Sequence, residues 1–305
     1  MSNLTLLDLA ARTGSDALVG LIEDVTTYSP EFREILARPK AGTSYRVTRR
    51  TGFPTPAFRN ANPDSVTSTK STYVQELKEM YFLDCQLEVD EMIVKGDDRS
   101  IGDVLADEAA GALEGTFNAL GSQFYYGTSA DAGGFAGLST QISDDTVYAG
   151  GTTNTTSAYL VDISIQGVHF VVGNDGEIAM PDWTKQKVAA GNMAYVSNLS
   201  SYIGLQVGSA NAVYRVRGID ATNKLTDALG AKAIKAVPLR RRGGNLRWMI
   251  NRTAAYALQL SRSAVGQVDA GTSGAPAFAG FPTELGGIPI IITDSITDTE
   301  TTTAS

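Results

Sequence analysis

Cysteine and histidine are almost missing from this chain of 305 residues, which holds one of each, Cys85 and His169. A Cys₄ or Cys₂His₂ zinc site is therefore excluded, and so is a disulfide within the chain. Also lacking is any run of about 18 apolar residues, and the start, Met1-Ser2-Asn3-Leu4-Thr5, has no basic segment leading into an apolar one. A chain of this kind is expected neither to span a membrane nor to leave through a secretory signal. What is present is a globular composition: 43% hydrophobic and 19% charged residues, with 25 Lys and Arg against 33 Asp and Glu for a net charge of −8. At roughly 100–200 residues per domain, the length predicts about two domains, or one with a large insertion.

Residues 4–11 have the spacing of a short amphipathic helix, and an arm with one possible helical turn near 31–37 follows. Tyr45, Val47 and the Thr and Arg residues between 44 and 51 favour a strand, and Pro54, Pro56 and Pro63 mark a turn-rich tip. Leu83, Cys85, Leu87 and Val89 then alternate with Asp84, Gln86, Glu88 and Asp90, a period of two that predicts a half-buried strand. Together, 43–90 reads as a long hairpin whose return strand is 83–89.

Ser100 opens the clearest element. Ser100 and Asp103 fit a helix-capping pair, and Ile101, Val104, Leu105, Ala109, Ala112, Leu113, Phe117, Leu120 and Phe124 repeat every 3.6 residues as far as Gly127. About 26 residues at 1.5 Å each make a rod of roughly 40 Å. Short strands are expected at 159–165, 168–172, 195–198 and 212–218, and helices at 225–236 and 251–261. A buried strand is expected at 288–293, followed by a polar tail from 297 that should fray.

No compact catalytic constellation emerges. His169, in Val168-His-Phe-Val-Val172, reads as a packed core residue, and Cys85 as a small buried apolar one. Gly133–Gly137 and Gly271–Gly274 lack the endings of phosphate-binding loops and read as turns. Asp97-Asp98 and Asp144-Asp145 lack the rest of a calcium loop. From 228 to 268 there are eight basic residues and no acid, with Arg240, Arg241 and Arg242 at the centre. With no base-reading motif in the chain, this stretch suits non-specific DNA contact or pairing with acidic neighbours rather than specific recognition.

Charge is segregated along the chain. Between Arg38 and Asn60 stand six basic residues and no acid, among them Arg46, Arg49, Arg50 and Arg59. Between Glu76 and Gly115 stand twelve acids, including Asp107, Glu108 and Glu114, against three bases. A basic hairpin and an acidic rod are complementary, either between copies, which suits a head-to-tail, ring-closing interface, or within one copy whose hairpin folds onto its own spine.

The order of an arm, a long hairpin, a spine helix ending in Tyr125-Tyr126-Gly127, and Phe135-Ala-Gly-Leu138 resembles the tailed-bacteriophage major capsid protein of the Hong Kong 97 (HK-97) type. Tyr159-Leu-Val161, Tyr214-Arg-Val-Arg-Gly-Ile-Asp220, Trp248-Met-Ile-Asn-Arg252 and Gly287-Ile-Pro-Ile-Ile-Ile-Thr-Asp294 continue the likeness over nearly the whole chain. The resemblance implies an α+β HK-97-like fold in five parts. These are an N-terminal helix and arm (1–42), an E-loop hairpin (43–90), a P-domain (91–138) with its spine helix at 100–126, an A-domain (139–275), and a returning P-domain strand and tail (276–305).

The same resemblance implies a structural protein, not an enzyme, with no cofactor and no metal. Hexamers and pentamers of it would build an icosahedral shell in the virion around double-stranded DNA, assembled in the host cytoplasm without a membrane. Its partners would be a separate scaffolding protein, a portal protein and, in some heads, a decoration protein. A tail or decoration component is the alternative. Arg46, Arg49, Arg50 and Arg59 of one copy are expected to face Asp107, Glu108 and Glu114 of a neighbour, with Arg240, Arg241 and Arg242 toward DNA or another subunit.

Overall fold

The computed structural model describes residues 29–58, 68–97, 99–128, 134–142, 147–173, 180–189, 191–269 and 279–301, with backbone alone at 210 and 264–269. The expected helix at 4–11 lies outside these residues, as do Arg59, Pro63, Asp98, Gly133, Asp144-Asp145 and Gly271–Gly274.

In chain order the strands are β1 (Ala37–Pro39), β2 (Ser44–Gly52), β3 (Thr72–Glu79), β4 (Tyr81–Asp90), β5 (Val147–Tyr148), β6 (Thr156–Asp162), β7 (Val168–Val172), β8 (Thr184–Lys187), β9 (Met193–Val207), β10 (Val213–Ile219), β11 (Leu246–Ile250), β12 (Glu284–Leu285) and β13 (Ile288–Ile292). The α-helices are α1 (Glu91–Lys95), α2 (Ile101–Tyr126), α3 (Leu138–Gln141), α4 (Asp227–Ala236) and α5 (Arg252–Asp269).

The expected hairpin needs a correction. β2 pairs antiparallel with β3, from Ser44 opposite Glu79 to Gly52 opposite Thr72. The alternating strand β4 pairs instead with β9, from Tyr81 opposite Ile203 to Asp90 opposite Ala194. Period two had identified a strand with one covered face, but it carries no information about which strand lies alongside. The hairpin thus spans 44–79, and β4 ends a five-stranded sheet of order β1-β7-β9-β4, with β8 on β9.

The second large sheet has the order β12-β13-β11-β6-β10-β5. Every residue of β6 is buried, as suits an inner strand covered on both faces. The two sheets cross the expected domain limits. β13 joins β11 as a parallel neighbour, and β7 and β9 join β1 and β4. Between β10 and β6 the register shifts at Gly218, whose φ of 74° and whose closeness to the Gly151 carbonyl leave no room for a side chain.

Helix α2 matches its expected limits to within a residue. The Ser100 hydroxyl oxygen accepts from the Asp103 backbone N–H at 3.2 Å and donates to the Asp103 carboxylate at 2.7 Å, which satisfies one orphan donor of the first turn. Gly127 ends the helix for a different reason than a left-handed turn, since its φ is −49°. A Cβ there would stand 2.3 Å from the Phe135 carbonyl oxygen, so the chain can double back only over a glycine.

The helix is anchored at its two ends. Val104 and Leu105 pack with Val89 and Val94, while Leu120, Phe124 and Tyr125 enter the main core with β6, β7, β9 and β11. Between them the helix is open around its middle: Leu113 is 39% exposed, and a Cβ on Gly111 or Gly115 would meet nothing within 4 Å. The arm is held too. Phe32 stacks on Phe117 and Phe170, and beside it Glu31 is fully buried with its carboxylate accepting from the Thr293 hydroxyl at 2.9 Å.

Candidate assembly surface

The hairpin is a two-stranded ribbon that meets the body at Tyr45, packed with Met80 and Val171, and at Phe53, under Arg240, and other side chains that would fill a core elsewhere lie open on it. Tyr73, Val74, Leu77 and Phe53 are exposed, as is Phe82 where β4 begins. The arginines of β2 are used unequally. Arg49 is bonded to Glu76 on the facing strand. Arg50 lies over the rings of Phe53 and Tyr73 and donates to the Tyr73 hydroxyl at 3.1 Å. Arg46 is exposed and makes no ion pair with a described residue.

The acids of the spine are also unequal. Asp107 accepts from Arg99 at 2.7 Å, Glu108 is half-buried, and Glu114 is exposed beside the open glycines. In a single subunit the structure does not bring the arginines of β2 onto these acids, because β2 pairs with β3 and α2 packs on other strands. Contact between the two sets requires a second copy.

The basic stretch around 240 resolves differently. Arg241 reaches Asp162 at 2.6 Å, and Arg247, Arg252 and Arg262 reach Glu34, Asp294 and Asp227. Arg242 donates to the carbonyls of Val237, Ile234 and Lys235 at the C-terminal end of α4, where a cation also answers the helix dipole. Of the three central arginines Arg241 is half-buried, while Arg240 and Arg242 are exposed, with Arg240 standing 5.7 Å over the Phe53 ring. Of the eight bases in a run with no acid in sequence, four are thus met in space by acids from other segments.

A second polar site was invisible in the sequence. The tail expected to fray is docked through Glu300, which is buried and accepts from Tyr126 at 2.7 Å, Ser157 at 2.5 Å and Arg215 at 2.9 Å. Its backbone pairs with Thr155. Burial pushes the Tyr126 hydroxyl well above its ordinary pKa, so it stays a donor. His169 is buried, and that burial, with Arg38 nearby, lowers its pKa and favours the neutral ring. Cys85 is half-buried in β4. Among the described residues no group of three His, Cys, Asp or Glu could hold a metal ion, and no helix is long and apolar enough to cross a membrane.

The family model for major capsid protein GP7 matches residues 23–304. The chain belongs to that family. Among solved structures, a chain from bacteriophage Epsilon15 superposes with a TM-score of 0.72 at 20% identity, over 99% of this chain and 97% of that one. The bacteriophage JBD30 capsid gives 0.55 at 12% identity, over 88% of this chain and 91% of that one. No curated protein sequence matches. The fold is that of the HK-97-like capsid proteins, and this chain is a phage major capsid protein, a structural component of the virion.

Proposed function

We propose that copies of this GP7-family protein close into hexamers and pentamers of an icosahedral head around double-stranded DNA. In this reading the basic hairpin of one copy lies against the acidic, uncovered middle of the neighbour's spine helix. The observation that carries it is the pairing of two surfaces left open in the subunit. The ribbon 44–79 exposes Arg46, Tyr73 and Leu77, and α2 exposes Glu114, Leu113 and the glycines at 111 and 115. Each exposed ion pair contributes only about 0–1 kcal/mol, so shell stability comes from apolar contacts and from repetition by symmetry.

Within this reading Arg46, Arg50 and Arg59 face Glu108 and Glu114, and Arg49 and Asp107 exchange their internal partners, Glu76 and Arg99, on assembly. In this reading Arg240 touches DNA, while Arg241 and Arg242 are engaged by Asp162 and by the carbonyls that end α4. Assembly takes place in the host cytoplasm with a scaffolding protein and a portal protein.

The test is charge reversal followed by electron microscopy. Arg46→Glu with Arg50→Glu should leave a folded subunit that forms no shells, and Glu114→Arg added to that variant should restore them in part. Normal shells from the first variant would refute the pairing. Tubes or small rings from the unaltered protein would place it in a tail or on the head surface instead.

A further inference from the structure

Three long strands of this chain have one edge without a partner among the described residues: β4, at the end of the five-stranded sheet, and β2 and β3, the two strands of the hairpin. Such edges hold a row of unused backbone donors and acceptors and invite another strand. Natural proteins blunt them with proline, bulges or lysine. Across its ten residues β4 has no proline, glycine or lysine, and its register with β9 runs without a shift.

The charges on the β4 and β2 edges differ in sign. β4 carries Asp84, Glu88 and Asp90 and no base, whereas β2 carries Arg46, Arg49 and Arg50 and no acid. Two β4 edges would therefore repel each other, and so would two β2 edges, while β2 and β4 attract. β3 has an open edge too, but with Glu76 and Glu79 against Lys78 it offers β4 no attraction. Within one chain β2 pairs with β3 by one edge, with an irregularity between Arg50 and Gly52, and its other edge meets no strand among the described residues.

We infer that β2 of one copy adds as a further strand to the free edge of β4 in a second copy, joining the hairpin of one subunit and the five-stranded sheet of the next into one continuous sheet. The inference rests on the shell reading and specifies its contact as backbone pairing. Because each edge rejects its own kind, the joint is head-to-tail and never two-fold, which is the symmetry a closed ring requires.

Cys85, the one cysteine of the chain, sits in the middle of β4 and supplies the test. Cysteine is placed singly at Arg46, Val47, Thr48, Arg49 and Arg50, and purified shells are mildly oxidised and run on a non-reducing gel. Strand pairing predicts inter-subunit ladders that require Cys85 and alternate along β2, strong at every second position, because only one face of β2 meets the Cys85 side chain. Ladders at all five positions, or at none, would overturn the inference. Amide exchange on unaltered protein guards against variants that do not assemble. Residues 81–90 should exchange at least about tenfold more slowly in shells than in free subunits, and equal rates would overturn it. Unaltered protein that forms no shells at all would instead sink the shell reading.

Discussion

The Glu300 carboxylate meets the Arg215 guanidinium at 2.9 Å in a site where both side chains are largely shielded from water. That bond ties the end of the described chain to β10. Through Tyr126 and Ser157 the same carboxylate also holds the last residue of α2 and an inner strand, β6.

Removing one partner of a buried pair leaves the other charge uncompensated, at a cost of about 3–5 kcal/mol. Glu300→Ala should lower the melting temperature of the unassembled subunit by roughly 5–10 °C. Arg215→Met added to it should recover much of the loss, since no buried charge then stands alone. Thermal unfolding of the two variants checks this, and an unchanged melting temperature in Glu300→Ala would mean the tail is not held.

Glu31 makes a prediction about pH. Burial raises its pKa above the ordinary carboxylate value, which outweighs the hydrogen bonds that favour the ionised form. A carboxyl with a raised folded pKa contributes stability that is fully present below the unfolded pKa and is lost as pH rises through the folded one. Glu31→Gln stays neutral and keeps an acceptor for Thr293. It should match the unaltered protein near pH 4 and exceed it in stability at about pH 7–8. A gap that narrows as pH rises would contradict this.

Three glycines on one helix predict opposite signs. At Gly111 and Gly115 an added Cβ meets nothing, so alanine should stabilise the subunit by about 0.5–1 kcal/mol through helix propensity alone. At Gly121 it would stand 2.2 Å from the Ser295 hydroxyl and 2.9 Å from the Ser295 Cβ, so alanine should destabilise. Denaturant unfolding of the three variants measures both effects. Gly115→Leu should fold as a subunit yet block shells if a neighbour packs there, and intact shells from it would place the contact elsewhere.

Salt gives a fourth prediction. Contacts between exposed charges weaken as the screening length falls from about 10 Å at 0.1 M to about 3 Å at 1 M. The rate of shell assembly from free subunits should fall over that range, while the melting temperature of the subunit changes little. Assembly indifferent to molar salt would assign the interface to its apolar residues alone.

Local pattern made some of this structure legible from the residues in order. The 3.6-residue period from Ile101 to Phe124, with Ser100 before it, specifies a long helix because helical neighbours are only three and four positions apart. The alternation of Leu83, Cys85, Leu87 and Val89 likewise specifies a strand, and the ordered segments carried the likeness to HK-97-type capsid proteins.

Only tertiary structure decided what these elements touch. β4 pairs with residues more than 100 positions later, Arg241 with Asp162, and Glu300 with Tyr126, Ser157 and Arg215. A period fixes which face is covered but not by what, and a charge count does not foresee an acid brought in from a distant segment. The basic stretch near 240 and the polar tail therefore looked like surface in sequence, while in space folding sets Arg241 and Glu300 opposite buried charges of the other sign.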